Sequence, residues 1–314
     1  MPTTSEFSLA STNGYSKLRV LLCEPDGDAR GVVQIAHGIA EHIGRYEPFM
    51  RFLAEHGFVA VGNDHLGHGK SVSVSEELGV FAEADGWQLV LDDLAKLRKR
   101  MTEAYPGLPY ILFGHSMGSF LMRSYAIQHP NDADFLVLCG TGQQTDLLIR
   151  SGALVAKAAP GLLGRKTAGK LLNALAFGSY NKRILKPKTP FDWLNRDEAE
   201  VAKYIADPLC GFAPSPSMFR DMMGGLRFIS EKRNVARMNK ETPVLLITGD
   251  QDPVGEYGAG VERVYRLLCD AGLHRVFLKK YRGARHELLL EQNHDEVFED
   301  VLRFITTGSL SAEA

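Results

Sequence analysis

Cysteine is scarce and scattered. Cys23, Cys139, Cys210 and Cys269 are the four in 314 residues. None forms a C-x-x-C pair, so neither a zinc knuckle nor a dithiol redox motif is suggested, and buried reduced thiols are the reading that remains. Long apolar runs are also missing, for no stretch approaches the roughly 18 to 20 residues that a membrane-spanning helix needs. The first residues, Met1-Pro-Thr-Thr-Ser-Glu-Phe7, lack the basic flank and apolar core of a secretory signal, which predicts a cytoplasmic protein. There is no charge excess, the formal net charge being -2. No Lys/Arg cluster is interleaved with aromatics in the way that tracks a phosphate backbone, so nucleic acid is not an expected partner. Internal repeats and low-complexity tracts are absent, and only Gly308 to Ala314 read as frayed.

The near-neutral total hides a local imbalance. From Arg150 to Lys188 there are nine Lys/Arg and no Asp or Glu, so the rest of the chain carries -11. This stretch falls within a region that interrupts an otherwise regular alternation of strands and helices. Glu6 to Leu9 and Lys17 to Cys23 read as strands joined across Asn13-Gly14, a dipeptide suited to a tight hairpin turn. Strands follow at Gly31 to Ala36, Phe58 to Val61, Tyr110 to Phe113, Phe135 to Cys139, Val244 to Thr248 and Val276 to Tyr281. Helical periodicity lies between them at Tyr46 to Glu55, at Trp87 to Met101, with Lys96, Arg98, Lys99 and Arg100 near its end, and at Met117 to His129. Continuous apolar strands alternating with helices predict an α/β fold with a mostly parallel central sheet covered by helices on both faces. Between residues 142 and 215 no strand pattern occurs, only helical stretches such as Leu147 to Ala159 and Ala168 to Phe177. The expected organisation is a core over residues 1–141 and 216–314 with an inserted helical cap at 142–215, placed over the strands' carboxyl ends. A solvated basic face would account for the cap's charge, and so would contact with anionic lipid or guidance of acyl substrates.

The chemistry is concentrated at Gly114-His-Ser-Met-Gly118. A strand breaks there and a helix begins, the arrangement of a G-x-S-x-G elbow in which two glycines let strand and helix press together and raise the Ser116 hydroxyl above the sheet. A serine needs a base, and the base an orienting acid. Among ten histidines, His286 in Gly283-Ala-Arg-His-Glu287 follows the last strand, where it can fold back toward the elbow. His115 is expected to pack structurally. The run Asn63-Asp-His-Leu-Gly-His-Gly-Lys-Ser71 is not a phosphate-binding Walker loop, because the glycine required five residues before Gly69 is Asp64. The paired histidines bring no third ligand, so neither a metal nor an organic cofactor is expected. Thr248-Gly-Asp-Gln-Asp-Pro-Val254 offers two acids; Asp252 is preferred because Pro253 stiffens the loop beyond it, with Asp250 as the second choice. The order Ser, Asp, His is that of α/β hydrolases. The Met117 amide and, from the loop His37-Gly-Ile-Ala-Glu-His42, the Ile39 amide are the expected oxyanion donors. Glu41 and His42 are expected to fix that loop by hydrogen bonds.

At these residues the sequence resembles the α/β-hydrolase superfamily, and within it the monoacylglycerol lipase and lysophospholipase-like group. The signatures are His37-Gly-Ile-Ala-Glu-His-Ile-Gly-Arg-Tyr46, Asp64-His-Leu-Gly-His-Gly-Lys-Ser71, Gly114 to Gly118, Gly249-Asp-Gln-Asp-Pro-Val254 and Arg285-His286, spread from about residue 31 to 306. The resemblance implies an α/β-hydrolase fold, with Ser116, Asp252 and His286 in the catalytic positions and Ile39 and Met117 as oxyanion donors. It departs from the group at Ala40, where glycine is frequent. The expected function is a serine carboxylic-ester hydrolase working through an acyl-enzyme on monoacylglycerol, lysophospholipid or similar lipid esters, with peripheral membrane contact through the basic cap. An amidase or aminopeptidase on the same scaffold is the alternative, disfavoured by a basic cap where a substrate ammonium would need acids. A ligand-binding protein without turnover is the reading from another class. Dehalogenase and epoxide-hydrolase chemistry would need a carboxylate at the elbow.

Overall fold

The structure, a computed structural model, describes residues 1–310; the expected fraying of the C-terminus thus falls partly outside the described residues. Gly308 itself is ordered, contrary to the expectation. It ends the last helix at φ 71° and its carbonyl accepts from Arg275, the left-handed C-terminal position that glycine fills without a side-chain penalty.

Eight strands form one sheet: β1 (Thr3–Ala10), β2 (Lys17–Glu24), β3 (Gly31–Ala36), β4 (Phe58–Asn63), β5 (Tyr110–His115), β6 (Phe135–Cys139), β7 (Val244–Gly249) and β8 (Val276–Tyr281). Their order is β1-β2-β4-β3-β5-β6-β7-β8. Only the β1–β2 and β2–β4 pairings are antiparallel. The helices are α1 (Glu47–Glu55), α2 (Gly86–Ala104), α3 (Met117–Gln128), α4 (Asp146–Leu163), α5 (Arg165–Phe177), α6 (Glu198–Ala206), α7 (Pro216–Ser230), α8 (Lys232–Val235), α9 (Ala259–Asp270) and α10 (His294–Thr307). The expected α/β-hydrolase architecture is found. Between β6 and β7 the described residues hold helices and turns but no strand.

The central strands are buried along their whole length, because both faces are covered. Alternate residues serve different cores: Val32, Ala36 and Leu112 join α2, α3 and α9, while Val33, Ile35, Ile111 and Phe113 join α1 and α10. This explains why period-two alternation is invisible in the sequence, since both sets of side chains must be apolar. One local expectation changes. The helix α2 runs a turn beyond its basic cluster to Ala104, so Lys96 and Arg98 do not complement its end; they donate instead to the carbonyls of Ala10 and Asp132.

Topology fixes where a site can form. The chain leaves β3 toward β4 on one side and later enters β5 on the other, so the strand order reverses between β3 and β5. Loops at such a reversal diverge and open a crevice at the strands' carboxyl ends. Ala36 of β3 stands in register with Gly114 of β5, so the loop beginning at His37 and the turn at Ser116 flank that crevice.

Candidate active site

The elbow has the backbone that its glycines permit. Ser116 lies at φ 52°, ψ -120°, a sparsely populated region for a residue with a side chain and one retained only where the surroundings over-determine it. A Cβ at Gly114 would run into the Gly118 carbonyl, and one at Gly118 into that of Ala36. The strain is held by hydrogen bonds: Ser116 N donates to Cys139 O at 2.9 Å, and Ser119 Oγ donates to Ser116 O at 2.6 Å. Ser116 is 8% exposed and lines a cavity of about 1140 Å³ that His286 also lines.

The His286 Nδ1–H donates to Asp252 Oδ2 at 2.9 Å, with both side chains buried. This leaves Nε2 as the ring nitrogen available to a hydroxyl. Asp252 accepts from the Val254 amide as well, through its other oxygen, so the proline-stiffened loop holds the carboxylate in place. Asp250 is elsewhere, accepting from the Gly283 amide through Oδ1. Among the described residues no hydrogen bond joins the Ser116 hydroxyl to the imidazole; such contacts are frequently long without substrate. The ring is nonetheless packed closely in place. A Cβ on Gly140, the residue after Cys139, would come within 3.0 Å of His286 Cε1, and the Trp193 ring lies 5.2 Å from the imidazole.

The amide of Met117 begins α3, where first-turn N–H groups have no helical acceptor. Neither it nor the Ile39 amide meets an acceptor among the described residues. The neighbouring amide, that of Gly38, donates to Glu41 Oε1 at 2.7 Å, which fixes the loop, and Ile39 itself lines the cavity. Ala40 adopts φ 57°, so the position where a glycine is frequent in the resembling group does take the backbone that glycine prefers.

Glu41 is the hub of a buried network. It accepts from Gly38 N, Tyr46 Oη and His115 Nδ1, and its second oxygen accepts from Arg45 at 2.8 Å. Arg45 also reaches Glu287, the residue after His286, with two bonds at 2.5 and 2.9 Å. The other nitrogen of His115 donates to the His286 carbonyl. Burial alone would depress the His115 pKa, but the Glu41 hydrogen bond and charge outweigh it and the net direction is upward. Burial likewise opposes the Glu41 carboxylate, yet His115 and Arg45 hold it well below the usual range. The sequence expectation reached His115 and Glu41 but missed Arg45 and Glu287 as a pair. The i,i+4 spacing of Glu41 and Arg45 was the visible half of the signal.

His37, His65 and His68 pack together beside this loop, all buried. His37 donates from Nδ1 to Gly38 O and accepts at Nε2 from His65 N, so it is neutral. Both ring nitrogens of His65 are without a partner. Burial pushes His65 down to about 3 and His68 to about 4. In the unfolded chain these histidines bind protons below about 6.5, whereas the folded protein refuses them until far lower pH, so stability is full above 6.5 and is lost as pH falls toward 4. From pH 7 to pH 5 the unfolding free energy should drop by about 2 kcal/mol or more, read as a lower urea midpoint, with His65→Leu flattening the slope. A midpoint unchanged over that range would show the cluster to be inert.

One group of three possible metal ligands occurs among the described residues, His42, Asp207 and Cys210, with donor atoms within 4.8 Å of one another. The hydrogen bonding argues against a metal there. The Gly44 amide donates to His42 Nδ1, which puts the ring proton on Nε2, and that proton goes to Asp207 at 2.9 Å. A metal on Nε2 would need that proton on Nδ1, against an amide N–H. The pair is a latch between the loop after β3 and the segment after α6.

Above the elbow, the cavity wall is mainly apolar, with Ile149, Val155, Leu172, Phe177, Trp193 and Met222 among its side chains. Its carboxylates are Glu41, Glu256 and Glu287, and each is engaged by an arginine, Arg45 for two of them and Arg263 for Glu256. On the outside, Leu147, Leu154, Leu162 and Leu185 are exposed on or near α4 and α5. No helix among the described residues is long and apolar enough to cross a membrane.

Comparison with known proteins shows the family and the fold. The family model described as "Serine aminopeptidase, S33" matches residues 27–293. A monoacylglycerol lipase of Mycolicibacterium smegmatis is 30% identical over 306 residues, covering 97% of this chain and 98% of that protein. Human monoglyceride lipase is 26% identical over 297 residues, covering 92% and 86%. Among solved structures, a thermostable carboxyl esterase from Bacillus coagulans in complex with glycerol superposes with a TM-score of 0.90 at 34% identity, covering 98% of this chain and 99% of that one. A soluble variant of monoglyceride lipase from Saccharomyces cerevisiae has the same fold, with a TM-score of 0.75 at 20% identity over 100% and 96% of the two chains.

Proposed function

We propose, for a chain that belongs to the serine aminopeptidase S33 family of α/β hydrolases and is a serine ester hydrolase, that it cleaves long-chain acyl esters of glycerol, monoacylglycerols and lysophospholipids, through an acyl-enzyme on Ser116. The observation that supports this reading is that Ser116 and His286, the latter bonded to the buried Asp252, both line one large apolar cavity. The Ser116 hydroxyl attacks the acyl carbonyl while His286 Nε2 takes its proton. Asp252 holds the ring in the tautomer with its proton on Nδ1 and stabilises the imidazolium that forms. The oxyanion is met by the amides of Ile39 and Met117, and the start of α3 favours the charge. His286 returns the proton to the departing alcohol, and water then repeats the sequence on the acyl-enzyme.

The family's aminopeptidase description suggests amide substrates with a free ammonium. Such a substrate needs an unpaired carboxylate in the cavity, and the three that line it are all matched by arginines. The apolar wall suits an acyl chain instead. Outside, exposed leucines stand near Arg150, Lys157 and Lys170 on α4 and α5, a combination that favours peripheral contact with anionic lipid. One experiment tests substrate and surface together, a chain-length series of monoacylglycerols presented in phosphatidylcholine or phosphatidylglycerol vesicles, with an amino-acid anilide as comparison. The expected result is kcat/KM rising by about tenfold or more from C4 to C16, since each buried CH₂ is worth up to roughly 0.8 kcal/mol. Long-chain turnover should be faster on the anionic vesicles at low salt. A preference for C4 esters or for the anilide would sink the lipid reading, and equal rates on both vesicles at low salt would remove the surface contact.

A further inference from the structure

The cavity's charges are uneven in how they are matched. Histidines aside, its wall carries three carboxylates and two cations, Lys182 and Arg183. The carboxylates are all engaged by arginines, as described above, whereas neither Lys182 nor Arg183 forms an ion pair among the described residues. Lys182 and Arg183 are therefore the charged side chains of the wall left without an ionic partner among the described residues.

That charge has a definite place. Lys182 and Arg183 belong to the 3-10 turn Tyr180–Arg183. The Tyr180 ring packs edge-on against Trp193 at 4.8 Å, and Trp193 lies 5.2 Å from His286. The Arg183 guanidinium sits 3.6 Å over the Tyr257 ring. Tyr257 N donates to Asp252 O at 2.8 Å, so this platform is tied to the loop of the acid. Glu256 and Tyr257 are consecutive non-glycine residues at φ 49° and 59°, a conformation costing about 1 kcal/mol or more each. The strained turn sets the Tyr257 ring where a cation can stack on its face. The turn that carries both cations, with the Arg183 guanidinium on Tyr257, thus stands on the His286–Asp252 side of the cavity, which is the side from which the departing alcohol must receive its proton.

We propose that Lys182 and Arg183 form a subsite for a phosphate on the alcohol portion of the ester, so that acylglycerols bearing a phosphate are cleaved in preference to neutral ones. This deepens and rests on the ester-hydrolase reading of the same site. The interaction is between groups open to solvent, so its strength is moderate and salt-sensitive.

The test uses 1-octanoylglycerol and 1-octanoylglycerol 3-phosphate as monomers below their micelle concentrations, which removes any effect of a lipid surface. In the wild-type protein, kcat/KM for the phosphate ester should exceed that for the neutral ester by roughly tenfold at low salt, and in Lys182→Gln/Arg183→Gln the ratio should fall to about one. A wild-type ratio of one or less, or the same ratio in the variant, overturns the subsite. Inhibition of p-nitrophenyl butyrate hydrolysis by inorganic phosphate as strong as that by glycerol 3-phosphate, without a preference between the two lipids, identifies a site for free anion and also overturns it. Cleavage of p-nitrophenyl butyrate with neither lipid hydrolysed is a separate outcome, since it defeats the acylglycerol reading on which the subsite depends.

Discussion

Ser116→Ala lowers kcat for p-nitrophenyl butyrate by roughly five to six orders of magnitude, His286→Ala does the same, and the double variant is no worse than either. The expected equality follows from the mechanism, because a base without a hydroxyl to activate and a hydroxyl without a base leave the same residual, the oxyanion amides and the cavity. Asp252→Asn should cost about 10⁴-fold, since the amide no longer favours the ring tautomer that leaves Nε2 free. The His286–Asp252 bond at 2.9 Å between two buried side chains is what makes the acid's contribution large. A fluorophosphonate reagent labels the wild type at Ser116 and fails on Ser116→Ala. Retention of more than about one per cent of activity in Ser116→Ala would end the nucleophile assignment.

The largest effect on stability is expected at Arg45. Its guanidinium is the shared partner of Glu41 and Glu287, whose side chains are 5% and 4% exposed. Arg45→Ala strands both carboxylates in the interior and should destabilise the fold by about 3 to 5 kcal/mol at pH 7. The loss should shrink as pH falls into the ordinary carboxylate range, because protonation neutralises the stranded acids. Glu41 is held well below that range, against the cost of burial, by the His115 hydrogen bond and the Arg45 charge. The informative control is Glu41→Gln/Arg45→Met/Glu287→Gln, which removes all three charges and should recover at least half of the lost stability. Glu41 also anchors the Gly38 amide, so both variants should lower kcat for soluble esters. Denaturant titration reads the first effect; a cost under about 1 kcal/mol for Arg45→Ala would mean that water reaches the pair and screens it.

Much of this molecule is legible in the sequence because its parts obey local rules. Gly31–Ala36, Phe135–Cys139 and Val276–Tyr281 are strands over the ranges their apolar runs suggest. Helix ends are less legible: α2 outruns its basic cluster because Lys96 and Arg98 are used by neighbouring loops, a tertiary demand that periodicity does not encode. The elbow is readable because steric crowding admits only glycine at positions 114 and 118. The choice between Asp250 and Asp252 rests in the sequence on one proline, and of the two only Asp252 bonds to the imidazole. What the sequence hides is pairing across distance. Arg45 and Glu287 are separated by 242 positions, and Arg183 meets Tyr257 only through a turn whose backbone is strained. No spacing rule reaches such contacts.

The Ala40 carbonyl accepts from both the Gly211 amide, at 2.9 Å, and the Tyr204 hydroxyl, at 3.0 Å. With the His42–Asp207 latch and the Arg285 bonds to the carbonyls of Asp192 and Asn195, these bolt residues 192–211 to the two loops that carry the chemistry. By contrast, α4 and α5 make no hydrogen bond or ion pair to the core among the described residues; apolar packing holds them. The roof is therefore built in two grades. Displacing α4 and α5 would cost apolar contacts alone, whereas displacing residues 192–211 would break polar bonds to the loops beside Ser116 and His286.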